Sequence, residues 1–223
     1  MKLYNLDHSP YATRVRMQIH KKALDIAIEP PPDALGTPEF LAQFPMGKIP
    51  VLELDDGSHL PDSWVIMEYL EEVTPSVSSR PEGASVSLRP EGARACAHMQ
   101  LLARYADTCL GPAGLFPLFA RLTSGAGLEG VEQELEALEG ELARLERLLA
   151  YLPPFEKRSL HLGDIALAPH MDYVLLLAPM FGVTQPLANH PRAQAWQEWV
   201  QSDAAVARGS KEMLTAVKAF FGG

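Results

Sequence analysis

Gly47-Lys48-Ile49-Pro50-Val51-Leu52-Glu53-Leu54-Asp55-Asp56-Gly57-Ser58-His59-Leu60-Pro61-Asp62-Ser63-Trp64-Val65-Ile66 decides the fold. Residues 51–54 read as an apolar strand, Asp55-Asp56-Gly57-Ser58 as a hairpin turn and His59-Leu60 as the returning strand. A helix over residues 61–73 follows, with Val65, Ile66, Tyr69 and Leu70 on its apolar side. Upstream, residues 1–6 form a short strand. Ser9-Pro10 then opens a helix, since Ser is a good N-cap and Pro suits the first helical position. Val15, Met17, Ile19 and Ala23 bury that helix up to about Leu24. Ile26-Ala27-Ile28 is a second strand, ended by Pro30-Pro31-Pro32. Residues 38–44 are a short helix. The order is β-α-β-α-β-β-α.

Composition narrows the function. A chain of 223 residues holds one or two domains. With 47% hydrophobic and 21% charged residues it is not a largely disordered chain. The net charge of −9 argues against nucleic acid or an anionic membrane as a general partner. The two cysteines, Cys96 and Cys109, form no C-x-x-C pair, and two free thiols fit a reducing compartment. The N-terminus lacks an apolar core of signal-peptide length, and the longest uncharged run, residues 173–189, is broken by Pro179, Gly182 and Pro186. The expectation is a soluble cytoplasmic protein. The seven histidines show no ligand spacing with carboxylates, so no metal is expected.

The second half reads as all helix. Val131, Leu135, Leu138, Leu142, Leu145, Leu149 and Leu152 make one apolar stripe, and the glutamates around it read as a solvated face. Residues 164–181 are apolar nearly all round and predict the central, buried helix. Between the halves, Ser76-Val77-Ser78-Ser79-Arg80-Pro81-Glu82-Gly83-Ala84 is followed by Ser85-Val86-Ser87-Leu88-Arg89-Pro90-Glu91-Gly92-Ala93, a duplication with one difference, Ser79 against Leu88. It reads as a linker at a domain boundary. The expected organisation is an α/β domain over residues 1–75, a linker over 76–92 and an all-α domain over 93–223.

Three segments carry chemistry. Ser9-Pro10-Tyr11-Ala12-Thr13-Arg14-Val15-Arg16 places a hydroxyl at a helix N-terminus, whose field stabilises an anion such as a thiolate. Its plainer reading is a helix cap. In Gly47-Lys48-Ile49-Pro50-Val51-Leu52, the backbone before the strand suits β-pairing with a peptide-like ligand, and Lys48 suits a carboxylate. Its plainer reading is an ordinary strand entry. In Pro61-Asp62-Ser63 a second helix N-terminus offers amides to a carboxylate, and Asp62 offers charge to an ammonium, or either residue simply caps the helix.

Taken together, these segments resemble the glutathione S-transferase family. Ser9-Pro10-Tyr11 with Arg14-Val15-Arg16 is similar to the catalytic segment of its serine-type members. Gly47-Lys48-Ile49-Pro50-Val51-Leu52 resembles the glutathione-backbone segment, and Pro61-Asp62-Ser63 the γ-glutamyl segment. Leu162-Gly163-Asp164-Ile165-Ala166-Leu167-Ala168-Pro169 resembles the folding-nucleus helix. The resemblance implies a thioredoxin-like first domain, a helical-bundle second domain and a homodimer. It implies glutathione as co-substrate and a small hydrophobic electrophile as its partner. Ser9 would donate to the glutathione sulfur, Pro50 would be cis, and the Ile49 main chain would pair with the cysteinyl unit. Asp62 and Ser63 would hold the γ-glutamyl end, and Lys48 the glycyl carboxylate. Tyr11, Met99, Tyr105 and Phe116 are the candidates for contact with the electrophile, the last three also fitting an apolar core.

Departures from the family pattern are His161 in place of a Ser or Thr cap, Phe44 in place of Asn, and Asp62 in place of a longer Glu or Gln. Imidazole is a poorer cap than a hydroxyl, so the sequence predicts a gain of about 0.5–1 kcal/mol for His161→Ser. Tyr4 and Tyr11 are rival hydroxyl donors, with Tyr4 read as pointing into or along the sheet. Alternative functions on the same fold are glutathione-dependent isomerisation, thioether cleavage or dehalogenation, and a non-catalytic binding module.

Overall fold

In the computed structural model, which describes residues 1–74 and 87–221, the chain divides into two units, Met1–Arg89 with Ala204–Gly223, and Pro90–Asp203. The first unit is built on β1 (Lys2–Tyr4), α1 (Pro10–Lys22), β2 (Ala27–Glu29), α2 (Pro38–Gln43), β3 (Val51–Glu53), β4 (His59–Pro61) and α3 (Ser63–Val73). This is the expected order. The sheet runs β2-β1-β3-β4, with β1 parallel to β2 and the other pairs antiparallel. The parallel pair needs a crossover, which α1 supplies, and the antiparallel pair needs only the turn at Asp55-Asp56-Gly57-Ser58. There Ser58 N–H and Oγ–H both donate to Asp56 Oδ1, at 2.9 and 2.6 Å.

Tyr4, Ala12, Phe40, Phe44, Ile49 and Val51 pack into one apolar cluster beside the sheet. Phe44, the departure noted above, stacks edge-on against Phe40 and lies 5.3 Å from the Tyr4 ring. α1 is buried almost throughout. One neighbour is α3; another is α9 (Ala204–Phe221), the last helix of the chain. Gly209 makes that approach possible, since a Cβ there would sit 2.5 Å from Met17 Cγ. The sequence reading assigns residues 93–223 to one helical domain; α9 instead groups with the first unit. Its apolar stripe matches a bundle helix and a helix laid on α1 equally well.

The first copy of the duplication, residues 76–84, and residues 85–86 lie outside the described residues. Ser87 and Leu88 of the second copy are anchored. Glu71, paired in the interior with Lys22 at 2.8 Å, accepts from Ser87 Oγ (3.0 Å) and Leu88 N (2.9 Å). Leu88, the position at which the copies differ, is 1% exposed.

The second unit contains α4 (Ala93–Tyr105), α5 (Phe116–Ser124), α6 (Glu132–Tyr151), α7 (Leu162–Leu177) and α8 (Pro191–Gln201). Between α4 and α5 the chain widens into a π-helix over Ala106–Leu115, with Pro112 inside it. Leu138, Leu142, Leu145 and Leu149 of the α6 stripe are buried. The glutamates beside them are not simply a solvated face. Glu141 is buried, and Glu146 accepts from the Arg192 and Ala193 amides at 2.9–3.0 Å, capping α8 from outside. α7 is the buried centre, as its composition requires.

His161 caps α7 better than its type suggests. Its Nδ1 accepts from Asp164 N at 3.3 Å, and Asp164 Oδ2 accepts from His161 N at 3.1 Å, a closed capping box. Burial alone would raise the Asp164 carboxyl. Two bonds from Arg158, at 2.6 and 2.8 Å, and one from Trp196 Nε1 bring it below the usual range instead. Burial pushes the His161 imidazole down, against the opposing pull of the Asp164 carboxylate.

Two outcomes follow from this packing. Gly163 lies against the Met99 carbonyl, and an added Cβ would overlap that backbone oxygen. Gly163→Ala is therefore expected to destabilise by about 2–3 kcal/mol, read as a lower urea midpoint. The gain predicted from sequence for His161→Ser does not survive the closed box, because serine would empty the buried imidazole site. With its folded pKa lowered, the His161 contribution is complete above the unfolded pKa of about 6.5 and is lost as pH falls through the folded value. Urea midpoints should favour wild type at pH 8, and the gap should narrow at pH 5.

Candidate functional site

The sheet register assembles the site. Tyr4 pairs with Val51, and Val51 with Pro61. The residues just past that row are Asn5 leaving β1, Pro50 entering β3 and Asp62 leaving β4. All three chemistry-bearing segments therefore leave one end of the sheet. The Ile49–Pro50 bond is cis, and Ile49 buries its side chain in the apolar cluster. Lys48 is exposed.

Ser9 is the N-cap of α1. Its Oγ accepts from Ala12 N at 3.3 Å, and Pro10 occupies the first helical position. A hydroxyl that accepts from a helix amide keeps its proton for a second partner. Capping and the proposed chemistry are thus compatible. The neighbouring Tyr11 ring is half-buried and lies under the Arg14 guanidinium, 4.9 Å from Cζ to centroid. Tyr4 is committed elsewhere, donating to Glu53 Oε2 at 2.6 Å. That bond, followed by burial, pushes its phenol up.

Asp62 is the N-cap of α3, and its Oδ1 accepts from Trp64 N (2.9 Å) and Val65 N (3.1 Å). Its backbone sits at φ 74°, ψ 119°, a sparsely populated region for a residue with a Cβ. Such strain costs on the order of 1–3 kcal/mol and gathers at binding sites. Ser63 Oγ is buried and accepts from Arg14 Nε (2.9 Å) and Nη2 (2.5 Å). Arg14 is the residue that the sequence reading left without a role.

A family model for the glutathione S-transferase N-terminal domain matches residues 8–73. A probable glutathione S-transferase of Oryza sativa subsp. japonica is 30% identical over 204 residues, 89% of this chain and 83% of its own. The chain belongs to the glutathione S-transferase family. Among solved structures, a glutathione S-transferase from Methylobacillus flagellatus KT with glutathione bound is 26% identical, with TM-score 0.69, covering 93% of this chain and 98% of that one. Maleylacetoacetate isomerase from Methylobacterium extorquens AM1, with malonate and glutathione bound, is also 26% identical, with TM-score 0.72, covering 96% and 97%. The fold is that of the glutathione S-transferases, a family of transferase enzymes.

In the second unit the candidates separate. Met99 is fully buried against Gly163, and Tyr105 is buried with its hydroxyl donating to the Glu141 carbonyl at 2.7 Å. Both are core residues of the helical unit. A periodic apolar position does not reveal from sequence whether it faces a neighbour helix or a ligand. Phe116 is half-buried, edge-on to His170 at 6.5 Å. Cys96 and Cys109 are half-buried, Cys96 Sγ donating to the Pro90 carbonyl at 3.1 Å. Among the described residues no group of three or more His, Cys, Asp or Glu is placed to hold a metal ion, and no helix is long and apolar enough to cross a membrane.

The two hydrogen bonds that Asp62 accepts from the α3 amides have a measurable consequence. Asp62→Ala should lower stability by about 1 kcal/mol or more, while Asp62→Asn, which keeps an acceptor and tolerates positive φ, should stay within about 0.5 kcal/mol. Urea denaturation of the two variants checks the difference.

Proposed function

We propose that this glutathione S-transferase activates the glutathione thiol at Ser9 and transfers it to a small apolar electrophile. The observation that carries the reading is the register at Tyr4, Val51 and Pro61. It gives Ser9, the cis Ile49–Pro50 junction and the strained Asp62 a common end of the sheet. A free thiol with a pKa of about 8.5 is only a few per cent thiolate at neutral pH. In our reading the Ser9 O–H donates to sulfur and the α1 N-terminus adds its field, so the charged form is favoured. The thiolate then attacks the electrophilic carbon. A C–S bond forms, the leaving group departs with its bonding pair, and the thiol proton has already passed to solvent.

The Ile49 main chain pairs with the cysteinyl unit in β fashion. Lys48 meets the glycyl carboxylate. Ser63, held by Arg14, and the α3 amides receive the γ-glutamyl carboxylate, and Asp62 faces its ammonium. Tyr11, half-buried two residues from Ser9, is the candidate for touching the electrophile. We further propose a cytoplasmic homodimer.

A second reading is favoured by one observation, the likeness to maleylacetoacetate isomerase. There glutathione would add and depart, with none consumed. Counting glutathione consumed per substrate turned over, across a panel of electrophiles and cis olefins, separates the two.

The direct test follows the thiolate absorbance of bound glutathione against pH for wild type and Ser9→Ala. Wild type should titrate one to two units below the free thiol, roughly 1.4–2.8 kcal/mol of thiolate stabilisation, and Ser9→Ala should return most of it. Failure of wild type to bind glutathione would refute the reading.

A further inference from the structure

The Ser9 hydroxyl is only as well aimed as the turn that carries it. That turn, residues 6–9, closes on itself through Ser9 N donating to the Leu6 carbonyl at 2.9 Å. One buried cation is fastened to it from both sides. Arg16, 3% exposed, donates from Nη1 to Asp7 Oδ1 at 2.7 Å, and from Nη2 to the Asp7 carbonyl at 2.9 Å and to Thr13 Oγ1 at 2.8 Å. Thr13 Oγ1 in turn donates to the Ser9 carbonyl at 2.8 Å. The guanidinium therefore reaches residue 7 directly and residue 9 through a single hydroxyl. Asn5 Nδ2 adds a bond to the same Asp7 oxygen at 2.7 Å.

The cation itself is braced from the other end of the chain. Arg16 Nε lies 3.9 Å from Glu212 Oε2 on α9. That carboxylate is fixed by His20 Nε2 at 3.2 Å and by Arg208 Nε at 2.9 Å. Further along α9, Phe220 stacks on the His8 ring, 4.9 Å between centroids. Holding three oxygens at once calls for a flat group with several donors in fixed directions, which arginine has and lysine lacks.

We propose that Arg16 is a positioning residue for Ser9, fixing through Asp7 and Thr13 the turn that presents the hydroxyl, with Glu212 of α9 holding the guanidinium in place. The proposal rests on the reading of Ser9 as the donor to the glutathione sulfur. A donor held in place before the ligand arrives stabilises charge without reorganising at that moment. If the turn is loosened, the ligand still binds through its other contacts, but its sulfur meets a less well aimed proton.

The test is the thiol pKa of bound glutathione in wild type, Ser9→Ala, Thr13→Val, Arg16→Lys and Glu212→Gln, beside the glutathione Kd and the thermal unfolding of each. Thr13→Val keeps the side-chain shape and removes only the bonds between Arg16 and the Ser9 carbonyl. Thr13→Val and Arg16→Lys should raise the bound thiol pKa by roughly half to one unit, a three- to tenfold smaller thiolate fraction below that pKa, with Kd changed less than about twofold. Glu212→Gln should shift it in the same direction by less. If Arg16→Lys does not fold, Thr13→Val and Glu212→Gln decide the matter. A thiol pKa that moves in Ser9→Ala but is unchanged in Thr13→Val and Glu212→Gln overturns the proposal and leaves the Ser9 reading intact. Wild type without a lowered thiol pKa, or Ser9→Ala without effect, removes the Ser9 reading and this proposal with it.

Discussion

The row Tyr4, Val51, Pro61 is the constraint on which the first unit depends. Side chains on a strand alternate faces, so a slip of one residue would exchange Leu3 and Leu52 with Tyr4 and Val51 between the two faces and carry the three loops out of step. Strands of three residues have few hydrogen bonds with which to hold a register. The apolar cluster that packs Tyr4 and its partner Val51 against Phe40, Phe44 and Ile49 adds to them. Phe44, a departure from the family pattern, belongs to this cluster and strengthens the same end of the sheet that carries the loops.

The other recurring device is the buried cation of α1. Arg14, Arg16 and Lys22 are all within 3% of complete burial, and each is answered differently. Arg14 is bonded to the Ser63 hydroxyl, Arg16 to Asp7 and the turn backbone, and Lys22 to Glu71. Desolvation makes such groups costly unless they are well bonded, so each one fixes its partner firmly. α1 thereby ties the start of α3, the turn before its own first residue and the segment entering the second unit to a single rigid rod.

Local signals in the sequence were strong where one residue type has one dominant use. Ser9-Pro10 as a helix start, Asp56-Gly57 as a hairpin and the order of strands and helices are all of this kind. Signals failed where geometry between distant segments decides. The place of α9 against α1 rests on Gly209, whose small size in sequence names no partner. Glu146 looks like a solvated charge until the α8 amides arrive beside it. The residue type of His161 marks it as a poor cap, whereas the outcome depends on Arg158 and Trp196 satisfying Asp164 and on the imidazole accepting from the Asp164 amide. At the site itself the segments were legible. The arginines that hold them were not, because a charged residue gives no sequence sign of being buried.

The first unit is not continuous in the chain. Its sheet is complete by residue 61, yet α9, which covers α1, begins only at residue 204. A ribosome making this protein therefore releases the sheet and α1 long before their last covering element exists. The whole helical unit must be synthesised while that face of α1 waits in water, and the contact that closes it spans nearly the full length of the chain. Completion of the first unit is thus a late event in synthesis, whatever the speed with which its sheet forms.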